Sequence, residues 1–126
     1  MKQLTYGTAK YRSAASEHDL QAVALDYIKL KARPGIFAFA IPNAAKRSLR
    51  TAARLKREGM MSGVADVCVL LDNGRTGWLE FKTAKGRQSV AQQNFEAACR
   101  NLAHQYELCR DLDDVIAVLW RWGAVR

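Results

Sequence analysis

Asp66 and the triplet Glu80-Phe81-Lys82 are the residues of this chain whose types and spacing point to chemistry, because a single hairpin turn can set two carboxylates and an amine side by side. Two carboxylates can hold Mg²⁺ or Mn²⁺ through oxygen, and such a hard cation polarises a phosphoryl oxygen and lowers the pKa of a bound water. An ammonium on the same strand can orient that water or neutralise the charge that develops on phosphorus. The chemistry implied is metal-dependent cleavage of a phosphodiester. Acid-x-Lys alone occurs on many solvated strands, so the weight falls on what surrounds it.

The side chains meet only if the hairpin has the right length. Val64 to Leu71 and Gly77 to Lys82 read as strands joined by Asp72-Asn73-Gly74-Arg75. Side chains alternate faces with period two. A two-residue Asn73-Gly74 turn would pair Val67 with Glu80 and put Asp66 on the opposite face. A three-residue loop, Asp72-Asn73-Gly74 with Gly74 left-handed, instead pairs Asp66 with Glu80, their Cβ atoms roughly 5 Å apart. Lys82 shares the face of Glu80, so the chemistry requires the longer loop or an equivalent bulge. Asp66 also interrupts an apolar run, Val64-Ala65 and Val67 to Leu71, where a lone acid needs a partner or a cation.

The elements that must position these groups can be read along the chain. Residues 1 to 15 are polar and aperiodic, an arm before a single domain over 16–126. Ser16 is an N-cap for a helix that runs to about Lys31, before Pro34-Gly35 stops it, with Leu20, Val23, Ala24, Tyr27 and Ile28 as its apolar stripe. Glu17 stands at the amino-terminal end of that stripe and is expected to point inward, although the helix dipole alone would explain an acid there. Ile36 to Ile41 reads as a strand. Residues 44 to 58 form a basic helix or mobile segment in which Lys46, Arg50, Arg54 and Arg57 would share one face beside Arg47 and Lys56. Asn43 before it could touch nucleic acid or cap this segment. Ser89 caps a further helix with Gln92 as reciprocal partner and Ala91, Phe95, Ala98 and Leu102 as the buried stripe. Tyr106 to Cys109 reads as a short strand, and Asp111 caps a last helix whose Val115, Ile116, Leu119, Trp120 and Trp122 face inward.

Composition narrows the function classes. The 126 residues make one ordinary domain, and 20 Lys+Arg against 12 Asp+Glu leave a formal charge of +8, so polyanions and nucleic acid first are the expected partners. No run of about 18 apolar residues suggests a membrane span, and Met1 to Tyr6 lacks the apolar core of a secretion signal, so a cytoplasmic location is expected. Cys68, Cys99 and Cys109 share no C-x-x-C spacing and read as buried thiols in a reducing compartment. With only His18 and His104, carboxylates must carry any metal chemistry.

Taken in order, Glu17, Gly63-Val64-Ala65-Asp66, Glu80-Phe81-Lys82 and Gly86-Arg87-Gln88-Ser89-Val90-Ala91-Gln92 resemble the virus-type replication-repair nuclease domain, VRR-NUC, a branch of the PD-(D/E)XK nuclease superfamily, over roughly residues 16 to 123. Ala65 departs from the proline that often precedes the aspartate there. The resemblance implies a small α/β fold, a mixed sheet flanked by helices, with Mg²⁺ or Mn²⁺ in an acidic cleft. It implies Asp66 and Glu80 as metal ligands, Glu17 completing the cluster directly or through water, Lys82 serving the attacking water and Gln92 supporting the site. Stand-alone members are typically phage or bacterial proteins similar to Holliday-junction resolvases and form homodimers.

The expectation is therefore a metal-dependent, structure-selective DNA endonuclease. Lys46, Arg47, Arg50, Arg54 and Arg57 would hold DNA, with Lys85 and Arg87 near the scissile phosphate. The rivals are a non-catalytic basic DNA-binding accessory module, in which the acids are structural, and a sequence-specific restriction-type enzyme on the same scaffold. Gln92 stays open between catalytic support and a helix cap.

Overall fold

Ser16 accepts a hydrogen bond from the Asp19 N–H at 3.0 Å and so starts the first helix where the sequence predicts. The structure, a computed structural model, describes residues 16–42 and 48–126. The expected arm, Asn43, Lys46 and Arg47 lie outside them. Among the described residues the order is α1 (Glu17–Lys31), β1 (Phe37–Ala40), α2 (Leu49–Arg57), β2 (Val67–Leu70), β3 (Thr76–Phe81), α3 (Val90–Asn101), β4 (Gln105–Cys109) and α4 (Leu112–Arg121). The sheet runs β1-β2-β3-β4 in space, antiparallel from β1 to β3 and parallel between β3 and β4. The parallel pair follows from α3, since a crossover helix returns the chain to the same edge it left. None of the described helices is long and apolar enough to cross a membrane.

One face of the sheet buries Val67, Val69, Leu79 and Phe81 against Leu20, Val23, Ala24 and Ile28 of α1 and Leu112, Val115 and Leu119 of α4. Leu79 and Phe81 are fully buried, and each such side chain stabilises the fold by about 1.5–3 kcal/mol. Because a slip of one residue would turn both to the other face, this core also fixes which way Trp78, Glu80 and Lys82 point. They face α3, where Ala65, Cys99 and Tyr106 form a smaller cluster and the Trp78 and Phe95 rings meet edge-on at 5.1 Å.

The hairpin has the longer loop. Val67 pairs with Leu79 and Leu70 with Thr76, then the Leu71 N–H donates to the Arg75 carbonyl at 2.9 Å around a single 3₁₀ turn over Asp72–Gly74. Gly74 is left-handed, φ 73°, as the loop requires, and so is Asn73, φ 61°, whose short polar side chain tolerates that region. The Arg33 guanidinium holds the loop from outside through Asp72 at 3.0 Å.

Two buried stripes differ from expectation. On α3, Leu102 is 71 % exposed and Ala98 is exposed, while Cys99 is buried and Gln92, Phe95 and Glu96 are half-buried. The inner face runs through Gln92, Phe95, Glu96 and Cys99, with Cys99 and Phe95 packed on Ala65, Trp78 and Tyr106, and Leu102 falls at the C-cap beyond it. On α4, Trp120 is 56 % exposed, because Val115, Val118 and Leu119 define the inner face and Trp120 lies about 100° further round. Trp122 is buried, and its ring lies where a Cβ on Gly77 would stand 2.4 Å away. Cys68, Cys99 and Cys109 are free and buried, and burial pushes the Cys109 thiol up to about 12.

Candidate active site

The edge of the β2–β3 ladder makes the site. Beyond Val67 the strand ends, and the Asp66 N–H donates to the Leu79 carbonyl while its carboxylate Oδ2 accepts from the Phe81 N–H at 2.7 Å. An acidic side chain thus takes the place of a ladder carbonyl. Continuing the register puts Asp66 opposite Glu80, the arrangement that the three-residue loop requires.

Glu80 is 1 % exposed. Its Oε2 accepts from Gln92 Nε2 at 3.0 Å and lies 3.9 Å from Lys82 Nζ, too far for a direct hydrogen bond, while its Oε1 is buried with no partner. Burial first, and then the charge of Asp66, push the Glu80 carboxyl up to about 8, against the opposing pull of Lys82. Asp66 is also raised, again chiefly by burial, with the Phe81 N–H opposing. Two carboxylates that cannot both ionise comfortably, one with an unsatisfied buried oxygen, suit a shared proton or a hard divalent cation. The donor set fits Mg²⁺ or Mn²⁺.

Gln92 does both things that the sequence left open. Its Oε1 accepts from the Ser89 N–H at 2.8 Å while the Ser89 hydroxyl accepts from the Gln92 N–H, completing a capping box, and its Nε2 holds Glu80. One amide therefore ties the start of α3 to the acid. Lys82 is buried beside Glu80.

Glu17 does not point inward as expected; its side chain is exposed. The stripe of α1 buries against the sheet face opposite α3, which leaves Glu17 at the rim, and its charge adds a minor upward push on Glu80. Among the described residues no group of three or more His, Cys, Asp or Glu side chains is close enough to share one ion.

Two features were not foreseen. Arg110 Nη1 donates to the carbonyls of Thr83, Ala84 and Gly86 at 2.7, 3.3 and 2.8 Å, pinning the loop that carries the exposed Lys85 and Arg87. No local pattern marks Arg110: its position follows from Cys109 pairing in parallel with Phe81, so that the next residue emerges at the same sheet end as Lys82. The second is a cleft of about 620 Å³ between α2, the 59–64 segment and the start of α3, with Asp66 and Gln92 in its wall. Gly63 shapes it: φ is +89°, and a Cβ there would stand 2.4 Å from the Ala91 carbonyl. Ala52 and Lys56 of α2 line the cleft, so Arg50, Arg54 and Arg57, all exposed, lie on the helix face turned away from it.

A mixed four-stranded sheet flanked by helices is consistent with the restriction-endonuclease-like α/β fold. Within that class the chain has the fold of VRR_NUC domains. A solved structure described as a VRR_NUC domain protein superposes with a TM-score of 0.72 at 19% identity, covering 86% of this chain and 88% of that one. A second, described as a VRR_NUC domain, gives 0.61 at 15% identity, covering 86% and 99%. The sequence matches no family model and no curated protein.

Proposed function

We propose that the chain is a nuclease of the VRR_NUC type, a divalent-cation-dependent, structure-selective DNA endonuclease. The observation that carries this reading is the Asp66–Glu80 pair, two carboxylates raised by burial, with Glu80 Oε1 buried and accepting from no N–H or O–H donor among the described residues. When bound, Mg²⁺ or Mn²⁺ held by Asp66 and Glu80 supplies Lewis-acid polarisation of the scissile phosphoryl group and a water of lowered pKa. Gln92 fixes Glu80 by one oxygen and leaves the other available. Lys82 sets its ammonium beside the reacting phosphoryl group and stabilises the negative charge that develops there. Glu17 adds an anionic group at the rim, where it acts on the ion only through water.

Lys85 and Arg87 grip the backbone near the scissile bond, and Arg50, Arg54 and Arg57 meet flanking phosphates beyond the cleft, while Lys46 and Arg47, outside the described residues, add DNA-binding charge from the same basic run of the sequence. None of these groups offers a code for bases, which favours branched DNA or four-way junctions over a sequence-specific site. Cleavage leaves a 5′-phosphate and a 3′-hydroxyl. Cutting two strands symmetrically at a junction needs two sites, so a homodimer belongs to this reading. The setting is replication and repair in a bacterial or phage-infected cell, in the cytoplasm.

A second reading, a non-catalytic basic DNA-binding module, is favoured by one observation: Glu17 is exposed, and no three acidic groups among the described residues converge. A panel of labelled linear, flap and four-way DNA substrates with Mn²⁺ separates the two. The nuclease reading expects cleavage of the branched members, abolished by excess EDTA and by Asp66→Asn while DNA binding is kept. Persistent wild-type cleavage in EDTA, or no cleavage of any member with binding intact, would contradict it.

A further inference from the structure

The cleft beside the acids combines polar and apolar walls. Its lining includes Asp66 and Gln92, the latter bonded to Glu80, and the apolar Ile41, Pro42, Met60, Met61 and Val64, with Lys56 of α2; the Ile41 N–H donates to the Asp66 carbonyl at 2.8 Å. Its volume, about 620 Å³, is in the range of small-molecule pockets rather than of a shallow backbone groove. A duplex presents sugars and charged phosphates to a protein cleft and keeps its apolar base faces stacked inside. Such an edge has nothing to place against two methionines, an isoleucine and a proline. An unstacked base does, and it remains tethered to the phosphates on either side of it. Methionine suits this task, since its flexible thioether adapts to flat rings and makes favourable contacts with them.

We infer that this cleft receives an unstacked nucleobase adjacent to the scissile phosphate. The inference rests on the nuclease reading above and narrows its substrate to strands with an unpaired or easily extruded nucleotide at the cut. Three features favour this occupant. The apolar lining is continuous with the proposed catalytic acids through Ile41, bonded to the Asp66 carbonyl, so the contents of the cleft lie within a nucleotide of the reacting phosphate. Lys56 lines the same wall and can pair with the phosphate of the extruded nucleotide. Gly63, whose missing Cβ lets the 59–64 segment sit against Ala91, keeps the cleft next to Gln92 rather than apart from it.

The test is equilibrium binding of the whole protein, in EDTA so that nothing is cut, to duplexes carrying one unpaired 2-aminopurine at successive positions, each against the same duplex with an abasic residue there. At the position that enters the cleft, the base-containing duplex is expected to bind about fivefold tighter than its abasic partner, with a change in 2-aminopurine fluorescence. Met61 is 74 % exposed, so Met61→Ser spares the core, and it should bring that ratio close to one without changing the affinity for fully paired duplex. A wild-type ratio of one at every position, or a ratio that Met61→Ser leaves intact, overturns the inference and makes the cleft a seat for paired DNA or for another ligand. Failure of every oligonucleotide to bind sinks the DNA reading along with it. A preserved ratio in a protein that never cleaves supports the base pocket and removes only the hydrolysis.

Discussion

Replacing Glu80 with glutamine should stabilise the cation-free protein at neutral pH, although it removes a residue central to the site. The carboxyl moves from an ordinary 4.5 to about 8 on folding, so the folded chain binds a proton that the unfolded chain has already released. Below pH 4.5 both states are protonated and the group carries no penalty. As pH rises towards 8 its contribution to stability is lost, at about 1.36 kcal/mol per unit. At pH 7 the gap is at most about 3 kcal/mol, reduced by whatever water reaches the site, and corresponds to roughly 10 °C in melting temperature for a domain of this size. Glutamine has the shape of the protonated acid and can still accept from Gln92, so it avoids the penalty. Thermal unfolding in EDTA between pH 4.5 and 8.5 should give matching curves for wild type and Glu80→Gln at the acid end and a widening advantage for the variant above it. Mn²⁺ at pH 8 should then raise the wild type and leave the variant unmoved. A difference that does not change with pH, or a variant less stable than wild type at pH 8 without cation, would refute the reasoning.

Three further outcomes follow from the geometry. Gly63→Ala combines a disfavoured positive φ with a collision against Ala91, so it should cost about 2 kcal/mol or more in denaturant unfolding and depress cleavage by displacing Gln92. Lys56→Gln should weaken DNA binding and lower the slope of log K against log salt by about 1, whereas Arg54→Gln, on the helix face away from the cleft and 3.5 Å from Glu58, should change both less. Arg110→Gln removes the donor that three loop carbonyls share, and should raise KM for cleavage and speed limited proteolysis within 83–88 more than it lowers the melting temperature.

Most of the fold was legible because local signals agreed with the core. Ser16, Ser89 and Asp111 each accept the hydrogen bond of the N-cap that their types suggest, and pairing Asp66 with Glu80 demands the three-residue hairpin loop that the chain has. Stripes were harder to read. Leu102 and Trp120 are apolar and fall near the right period, but Leu102 stands at the C-cap of α3, past the Phe95 and Cys99 that pack on the sheet, and the inner face of α4 is already filled by Val115, Val118 and Leu119. Glu17 misled for a related reason: helical spacing tells which residues share a side, not which face of the sheet that side covers. Arg110 and the Met60–Met61 wall carry no local pattern at all, because their significance arises from β4 lying parallel to β3 and from α2 returning beside Asp66.

The central claim is that Asp66 and Glu80 jointly hold a divalent cation, and titration of the cation-free protein with Mn²⁺, followed by the loss of its free-ion paramagnetic resonance signal at pH 7.5, tests it most directly. The account predicts saturable binding in the wild type that Asp66→Asn and Glu80→Gln each abolish while the fold, read by circular dichroism, is kept. Binding of the same strength in all three proteins, or none in the wild type, would contradict it.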